Sequence, residues 1–277
     1  MTFEFSDSLN RPLDQLALVF FDIESTGLHA SEDRICEIAL RRVRGDSLEA
    51  SYRTLVNPCH PMDSQAFQVH QISPEMLTDA PLFAEVAPNV LPLLQGAVLV
   101  AHNAPFDVAF LNNELQRLAQ PPLANPVIDT LVLSRRLLRR ASHSLASLAA
   151  DIGLARPSHR AMDDVMALEG LYRYLLGQLA EREINTLDDV LRFQRGLLPG
   201  QVEQAPPPVI EQALRQGRRI SIIYRSVSTP EPTLRLIRPI EITHERSGLF
   251  LRAFCYLRND LRSFALEKIE SMELIEE

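Results

Sequence analysis

Asp22 and Glu24 stand two residues apart in the run Val19-Phe20-Phe21-Asp22-Ile23-Glu24-Ser25-Thr26-Gly27. Asp107 closes the segment His102-Asn103-Ala104-Pro105-Phe106-Asp107, and His159 and Asp164 frame His159-Arg160-Ala161-Met162-Asp163-Asp164. Four carboxylates and one imidazole can hold two divalent cations beside a general base. That is the equipment for cutting a phosphodiester with water.

The elements that must position these groups can be read from pattern. Leu16 to Phe21 is almost wholly apolar, as expected of a strand buried on both faces. Residues two apart on a strand leave the same face, so Asp22 and Glu24 project together where the apolar run meets a turn at Ser25-Thr26-Gly27. Two carboxylates on one face repel, and a cation removes the repulsion. Taken alone, the pair fits a solvated strand end equally well. Asp107 is expected early in a helix that follows the apolar run Gly96 to Ala101, with Asn103 as N-cap and Pro105 in the first turn. Leu111, Leu115 and Leu118 follow at helical spacing and place Asp107 on the apolar stripe. An acid there needs a partner, although the helix dipole also favours an acid at that end. The third motif opens a helix expected over 161–176, with Asp164, Leu168, Leu171 and Leu175 on one face, so Asp164 rather than Asp163 points inward. His159 lies about 140° from Asp164 on an ideal helix, which puts it on the preceding loop, leaning back over the acids.

These three motifs resemble the DEDDh family of 3′–5′ exonucleases, the family of the proofreading epsilon subunit of bacterial DNA polymerase III. The pattern Asp-x-Glu, His-Asn-x-x-Phe-Asp, His-x4-Asp is present with no catalytic position missing. The segments His70 to Leu77, Ala80 to Val86, Val127 to Leu131 and Ser144 to Ala149 match between the motifs, so the resemblance runs over roughly residues 15–178. It implies a ribonuclease H-like fold, with Asp22, Glu24, Asp107 and Asp164 holding two Mg²⁺ or Mn²⁺ ions and His159 as general base. It also implies a pocket for the terminal nucleotide formed by Thr26, Gly27, Leu28, His102, Asn103 and Phe106.

The order of elements agrees with that fold. Strands are expected over 16–24, 35–43 and 52–56, then a helix over 82–94, then alternating strands and helices to about residue 176. That order suggests an α/β mixed sheet covered by helices. Residues 1–180 are expected to form the exonuclease domain. A linker, 181–208, carries a short helix and ends in Pro206-Pro207-Pro208, a stiff spacer. From 209 a short helix precedes five strand-like runs, with a turn at Ser247-Gly248. This segment, 209–277, resembles the WYL domain, a small Sm/SH3-like β-barrel. It matches at Ile222-Ile223-Tyr224, Arg238-Pro239-Ile240, Arg258 and Arg262. The naming Trp-Tyr-Leu triplet stands as Leu249-Phe250-Leu251. The resemblance implies a basic site for nucleic acid or a nucleotide-like ligand, with Tyr224, Arg238, Arg258 and Arg262 as candidates. Arginines paired with nearby glutamates on a solvated barrel are the competing reading.

The 277 residues carry a net charge of −8, unusual for a nucleic-acid binder. The imbalance is local: 11 of 28 basic but only 10 of 36 acidic residues lie from 205 onward. There is no 18-residue apolar run. No secretory segment is visible at Met1-Thr2-Phe3-Glu4-Phe5. Cys36, Cys59 and Cys255 are scattered, with no disulfide framework or metal spacing. These features suit a reducing cytoplasm and no membrane partner. The expected activity is metal-dependent release of nucleoside 5′-monophosphates from the 3′ end of single-stranded DNA, favoured over RNA. The alternatives are an RNA-trimming exonuclease and a non-catalytic nucleic-acid-binding regulator.

Overall fold

A computed structural model describes residues 5–201, 205–226, 231–245 and 248–275. The chain divides into two compact units, Met1–Gln194 and Arg195–Glu277. The expected turn at Ser247-Gly248 falls partly outside the described residues.

The first unit begins with a short helix, α1 (Ser6–Leu9), and three strands, β1 (Ala17–Ser25), β2 (Ile35–Arg44) and β3 (Ser47–Leu55). Next come α2 (Ser64–His70), α3 (Pro74–Leu77), α4 (Phe83–Leu94), β4 (Val98–Ala101), α5 (Ala104–Arg117), β5 (Val127–Asp129), α6 (Thr130–Leu137) and α7 (Leu145–Asp151). Two helices finish it, α8 (Ala161–Ala180) and α9 (Leu187–Arg195). The sheet runs β3-β2-β1-β4-β5. The first three strands are antiparallel and the last two parallel to β1. This is the expected mixed sheet.

Alternation along β1 divides the interior. Leu18 and Phe20 join the core against α8, while Val19, Phe21 and Ile23 join the core against α4 and α5. Asp22 and Glu24 continue the Leu18–Phe20 row, so they emerge on the α8 side. On α8, Asp164 is buried and Asp163 exposed. The segment read as a linker helix departs from that description. Ile184, Leu187, Val190 and Phe193 are buried in the first unit's core, because α9 has a strongly one-sided apolar face.

In the second unit, α10 (Pro208–Gln216) packs on an antiparallel sheet of β6 (Ile220–Tyr224), β7 (Thr233–Glu245), β8 (Gly248–Cys255), β9 (Asp260–Ala265) and β10 (Ile269–Leu274). Strand order is β10-β6-β7-β8-β9. Among the described residues the two edge strands do not pair with each other, so what stands is a five-stranded antiparallel sheet rather than a closed barrel. No helix of the described residues is long and apolar enough to cross a membrane.

Candidate active site

One carboxylate oxygen from each of Asp22, Glu24 and Asp164 lies within 4.8 Å of the others. β1 supplies two of these groups from one face, and the first turn of α8 supplies the third. Asp107, 4% exposed, sits in the first turn of α5, where its Oδ1 accepts from the Ile23 N–H at 3.2 Å. That bond ties Asp107 to the backbone between Asp22 and Glu24, although Asp107 is outside the three-residue cluster.

The electrostatics are those of crowded anions. Burial raises Glu24 to about 9, helped by the charges of Asp164, Glu37 and Asp107, against a lowering by Arg160. Burial raises Asp107 to about 8, against hydrogen bonds from Ile23 and its own backbone. Asp22 is held well above the carboxylate range by burial, then by Asp107, Glu24 and Asp164. Asp164 is also raised by burial, partly offset by His159 and the N–H groups of Ser158 and His159. Oxygen-only donors that are too crowded to ionise together fit a hard divalent cation, which supplies the missing positive charge.

A raised acid pKa contributes stability that is complete below the unfolded value. It is lost as pH rises through the folded value. Without metal, the acid-bearing unit is therefore expected to lose thermal stability between roughly pH 4 and pH 9, the span set by Glu24 and Asp107. The expected fall is about 5 °C, the scale of one to two kcal/mol in a unit this size. Saturating Mn²⁺ should restore it, since a ligand of the folded state stabilises that state. Melting curves in EDTA that do not vary with pH, or that Mn²⁺ does not move, contradict this.

His159 lies on the loop before α8, exposed, with φ +58°. The N–H groups of Ser158 and His159 both donate to Asp164 Oδ1 at 3.1 Å, so the loop is folded over the acid.

A cleft of about 460 Å³ opens beside Glu24, lined by Gly27, Leu28, Val69, His70 and Phe106 among others, within the size range of small-ligand pockets. Leu28 is 74% exposed at its rim. Three expected pocket residues are placed differently. Thr26 is fully buried and does not line the cleft; its hydroxyl donates to Asp33 Oδ1 at 3.1 Å and accepts from the Arg34 N–H at 3.0 Å. It staples the 26–34 loop. His102 uses both ring nitrogens internally, Nε2 donating to the His143 carbonyl and Nδ1 meeting the Thr130 hydroxyl, each at 2.9 Å. Asn103 occupies the N-cap position of α5 in a left-handed conformation, without a side-chain cap bond, and its N–H donates to Asp129. His102 and Asn103 line a separate cleft with Arg135 and His143.

Other groups were not marked by their own sequence context. Glu37, 1% exposed, lies opposite Glu24 across the β1–β2 ladder. His70 is buried at the back of the cleft, with Nε2 donating to the Ser25 carbonyl at 3.1 Å and Nδ1 accepting from the Ile72 N–H at 3.0 Å. Its place in the matched segment His70 to Leu77 was the only signal available for it.

In the second unit, the four candidates do not form one cluster. Arg238 pairs across with Phe254 and Arg262 with Ala253, so the two arginines leave opposite faces of the sheet. Arg258 is exposed in the β8–β9 turn, and among the described residues neither it nor Arg238 has a side-chain partner. Arg262 meets Asp260 at 3.5 Å in an exposed pair, a weak interaction. Tyr224 is half-buried, edge-on to Phe264 with ring centroids 5.0 Å apart, and its hydroxyl accepts from the Ala265 N–H at 3.4 Å.

Comparison with known proteins bears on this geometry. The family profile for exonucleases matches residues 19–172, and that for the WYL domain matches residues 208–274. A DNA polymerase III subunit epsilon-like protein of Rhodobacter capsulatus is 39% identical over 191 residues, 65% of this chain and 26% of that protein. A PolC-type DNA polymerase III of Oceanobacillus iheyensis is 36% identical over 179 residues, 64% of this chain but 12% of the relative. The DNA polymerase III epsilon subunit of Treponema pallidum is 34% identical over 173 residues, 61% of this chain and 80% of that protein. The first two relatives are thus far longer than the part matched. The structure of E. coli exonuclease I with a dT13 oligonucleotide superposes with a TM-score of 0.58 at 15% identity, covering 87% of this chain and 55% of that one. At that identity the likeness speaks for the fold.

Proposed function

This chain belongs to the exonuclease family, and we propose that it removes nucleotides from the 3′ end of single-stranded nucleic acid, releasing nucleoside 5′-monophosphates. The observation that carries the proposal is the convergence of Asp22, Glu24 and Asp164 within 4.8 Å, with the His159 backbone bonded to Asp164. Asp22, Glu24, Asp107 and Asp164 would hold two Mg²⁺ or Mn²⁺ ions. When bound, such ions neutralise the carboxylates and stabilise charge on the reacting phosphoryl group. His159, its backbone tied to Asp164, would take the proton of the attacking water. Gly27, Leu28 and Phe106 would hold the terminal nucleotide in the cleft beside Glu24.

DNA is favoured as substrate because relatives of the chain include a DNA polymerase III epsilon subunit and an epsilon-like protein. Incubating the protein with matched single-stranded DNA and RNA in Mg²⁺ and in Mn²⁺ tests this. Faster shortening of DNA supports it, and faster shortening of RNA overturns the preference.

We propose residues 209–277 as an accessory nucleic-acid contact. The first unit is acidic, and arginines on the second supply phosphate partners. In the full chain, Arg258→Ala with Arg262→Ala is expected to weaken binding of a long single strand while dinucleotide hydrolysis stays nearly intact. Loss of two phosphate contacts should reduce the slope of log affinity against log salt by about 1.4. Unchanged affinity and slope would redirect this unit to a ligand or protein partner.

A further inference from the structure

We infer that Glu37 and Arg160 form a brace that positions the His159 imidazole. The inference rests on the exonuclease reading above, in which His159 is the base.

The His159 ring is exposed and makes no side-chain hydrogen bond or salt bridge among the described residues, although its charge acts on Asp164. No hydrogen bond therefore aims the ring, and the attraction to Asp164 is not directional, so its orientation rests on the backbone that carries it. That backbone is in the left-handed region, φ +58°, an uncommon conformation for a residue other than glycine. Such a conformation persists only where the surroundings over-determine it.

The structure supplies a tether on each side. Before and at the histidine, the Ser158 and His159 N–H groups are held by Asp164 Oδ1. After it, the Arg160 side chain crosses to β2 and meets Glu37 in a bidentate pair, Nε to Oε2 at 3.0 Å and Nη2 to Oε1 at 2.9 Å. The Ala161 N–H, first in α8, also donates to Glu37 Oε2 at 3.0 Å. Glu37 thus does for this helix what an N-cap side chain does elsewhere, while Arg160, at the N-cap itself, makes no cap bond.

A buried carboxylate whose charge acts on both Asp22 and Glu24 is an unfavourable choice unless it has a specific partner. Its bidentate partner is the residue that follows His159, and its third bond is to the residue after that. The guanidinium fork fixes orientation as well as distance, which a single ammonium would not. Glu37 and Arg160 are therefore positioning residues that act through His159.

A double-mutant cycle tests this. Single-turnover cleavage of a short strand is measured at saturating Mn²⁺ for Glu37→Gln, Arg160→Met and His159→Ala, and for each brace variant combined with His159→Ala. Melting curves accompany each protein. A misplacement on the order of 1 Å can cost about 10²-fold, so each brace variant is expected to lose roughly 10- to 100-fold in rate. Substrate KM and the Mn²⁺ concentration for half-activity should move less than about threefold on the same reasoning. In the His159→Ala background the further loss should be under about threefold, because the group being aimed is gone. An equal loss in that background overturns the inference. So does a defect that is only a greater demand for Mn²⁺, which would assign the pair to the acid cluster. If both brace variants are unfolded at the assay temperature, the pair determines the fold and the inference also fails. Wild-type activity together with loss in His159→Ala establishes the exonuclease reading independently of the brace.

Discussion

Asp164→Ala, like Asp22→Ala, is expected to abolish nucleotide release while the protein stays folded. Each removes one of three carboxylates whose oxygens lie within 4.8 Å of one another, and a two-cation site cannot form its geometry without them. The expected loss is on the order of 10⁴-fold or more, within the range that enzymatic catalysis spans. The fold should survive, and could even gain, because each deletion relieves repulsion. Glu24 is raised partly by Asp164, and Asp22 by Asp107 and Glu24. Asp164→Asn is the sharper companion, since its amide oxygen can still accept the loop N–H bonds that Oδ1 now receives from Ser158 and His159. Turnover near the wild-type rate by both Ala variants in Mg²⁺ would sink the assignment.

His159→Ala is expected to slow the chemical step by about 10²- to 10⁴-fold, the contribution of a well-placed general base. The ring is exposed and makes no hydrogen bond among the described residues, so its removal leaves no buried group unpaired. Stability, metal demand and KM should therefore stay close to wild type. This separates His159 from the acids, whose loss should also change metal demand. A single-turnover rate equal to wild type would show that another group activates the water.

The parts of the site that follow from periodicity were legible in the chain. Asp22 and Glu24 had to share a face because they are two apart on a strand, and they continue the Leu18–Phe20 row. Asp164 had to point inward because it shares a face with Leu168 and Leu175, and it is 8% exposed where Asp163 is exposed. What periodicity could not carry were groups fixed by cross-strand register or by loops. Glu37 is an ordinary acid in a run of arginines and aliphatics until the register sets it against Glu24. Arg160 looks like a spacer between two motif residues until its side chain is traced to β2. α2 and α3 are only seven and four residues long, too short for a helical repeat to show in the sequence. Motif membership points Thr26, His102 and Asn103 to the nucleotide cleft, yet the Thr26 hydroxyl, the His102 ring and the Asn103 N–H hold loops together. A five-stranded sheet was legible in residues 209–277, but closure depends on whether the two edge strands, β9 and β10, pair with each other, which alternation within a strand does not encode.

The most direct test of the central claim uses a single strand labelled only at its 3′-terminal nucleotide, incubated with the full chain in Mn²⁺, in EDTA, and with Asp22→Ala in Mn²⁺. The account predicts that labelled nucleoside 5′-monophosphate is the first product in Mn²⁺, and that none forms in the other two reactions. Labelled oligonucleotides as first products, release in EDTA, or equal release by Asp22→Ala would contradict it.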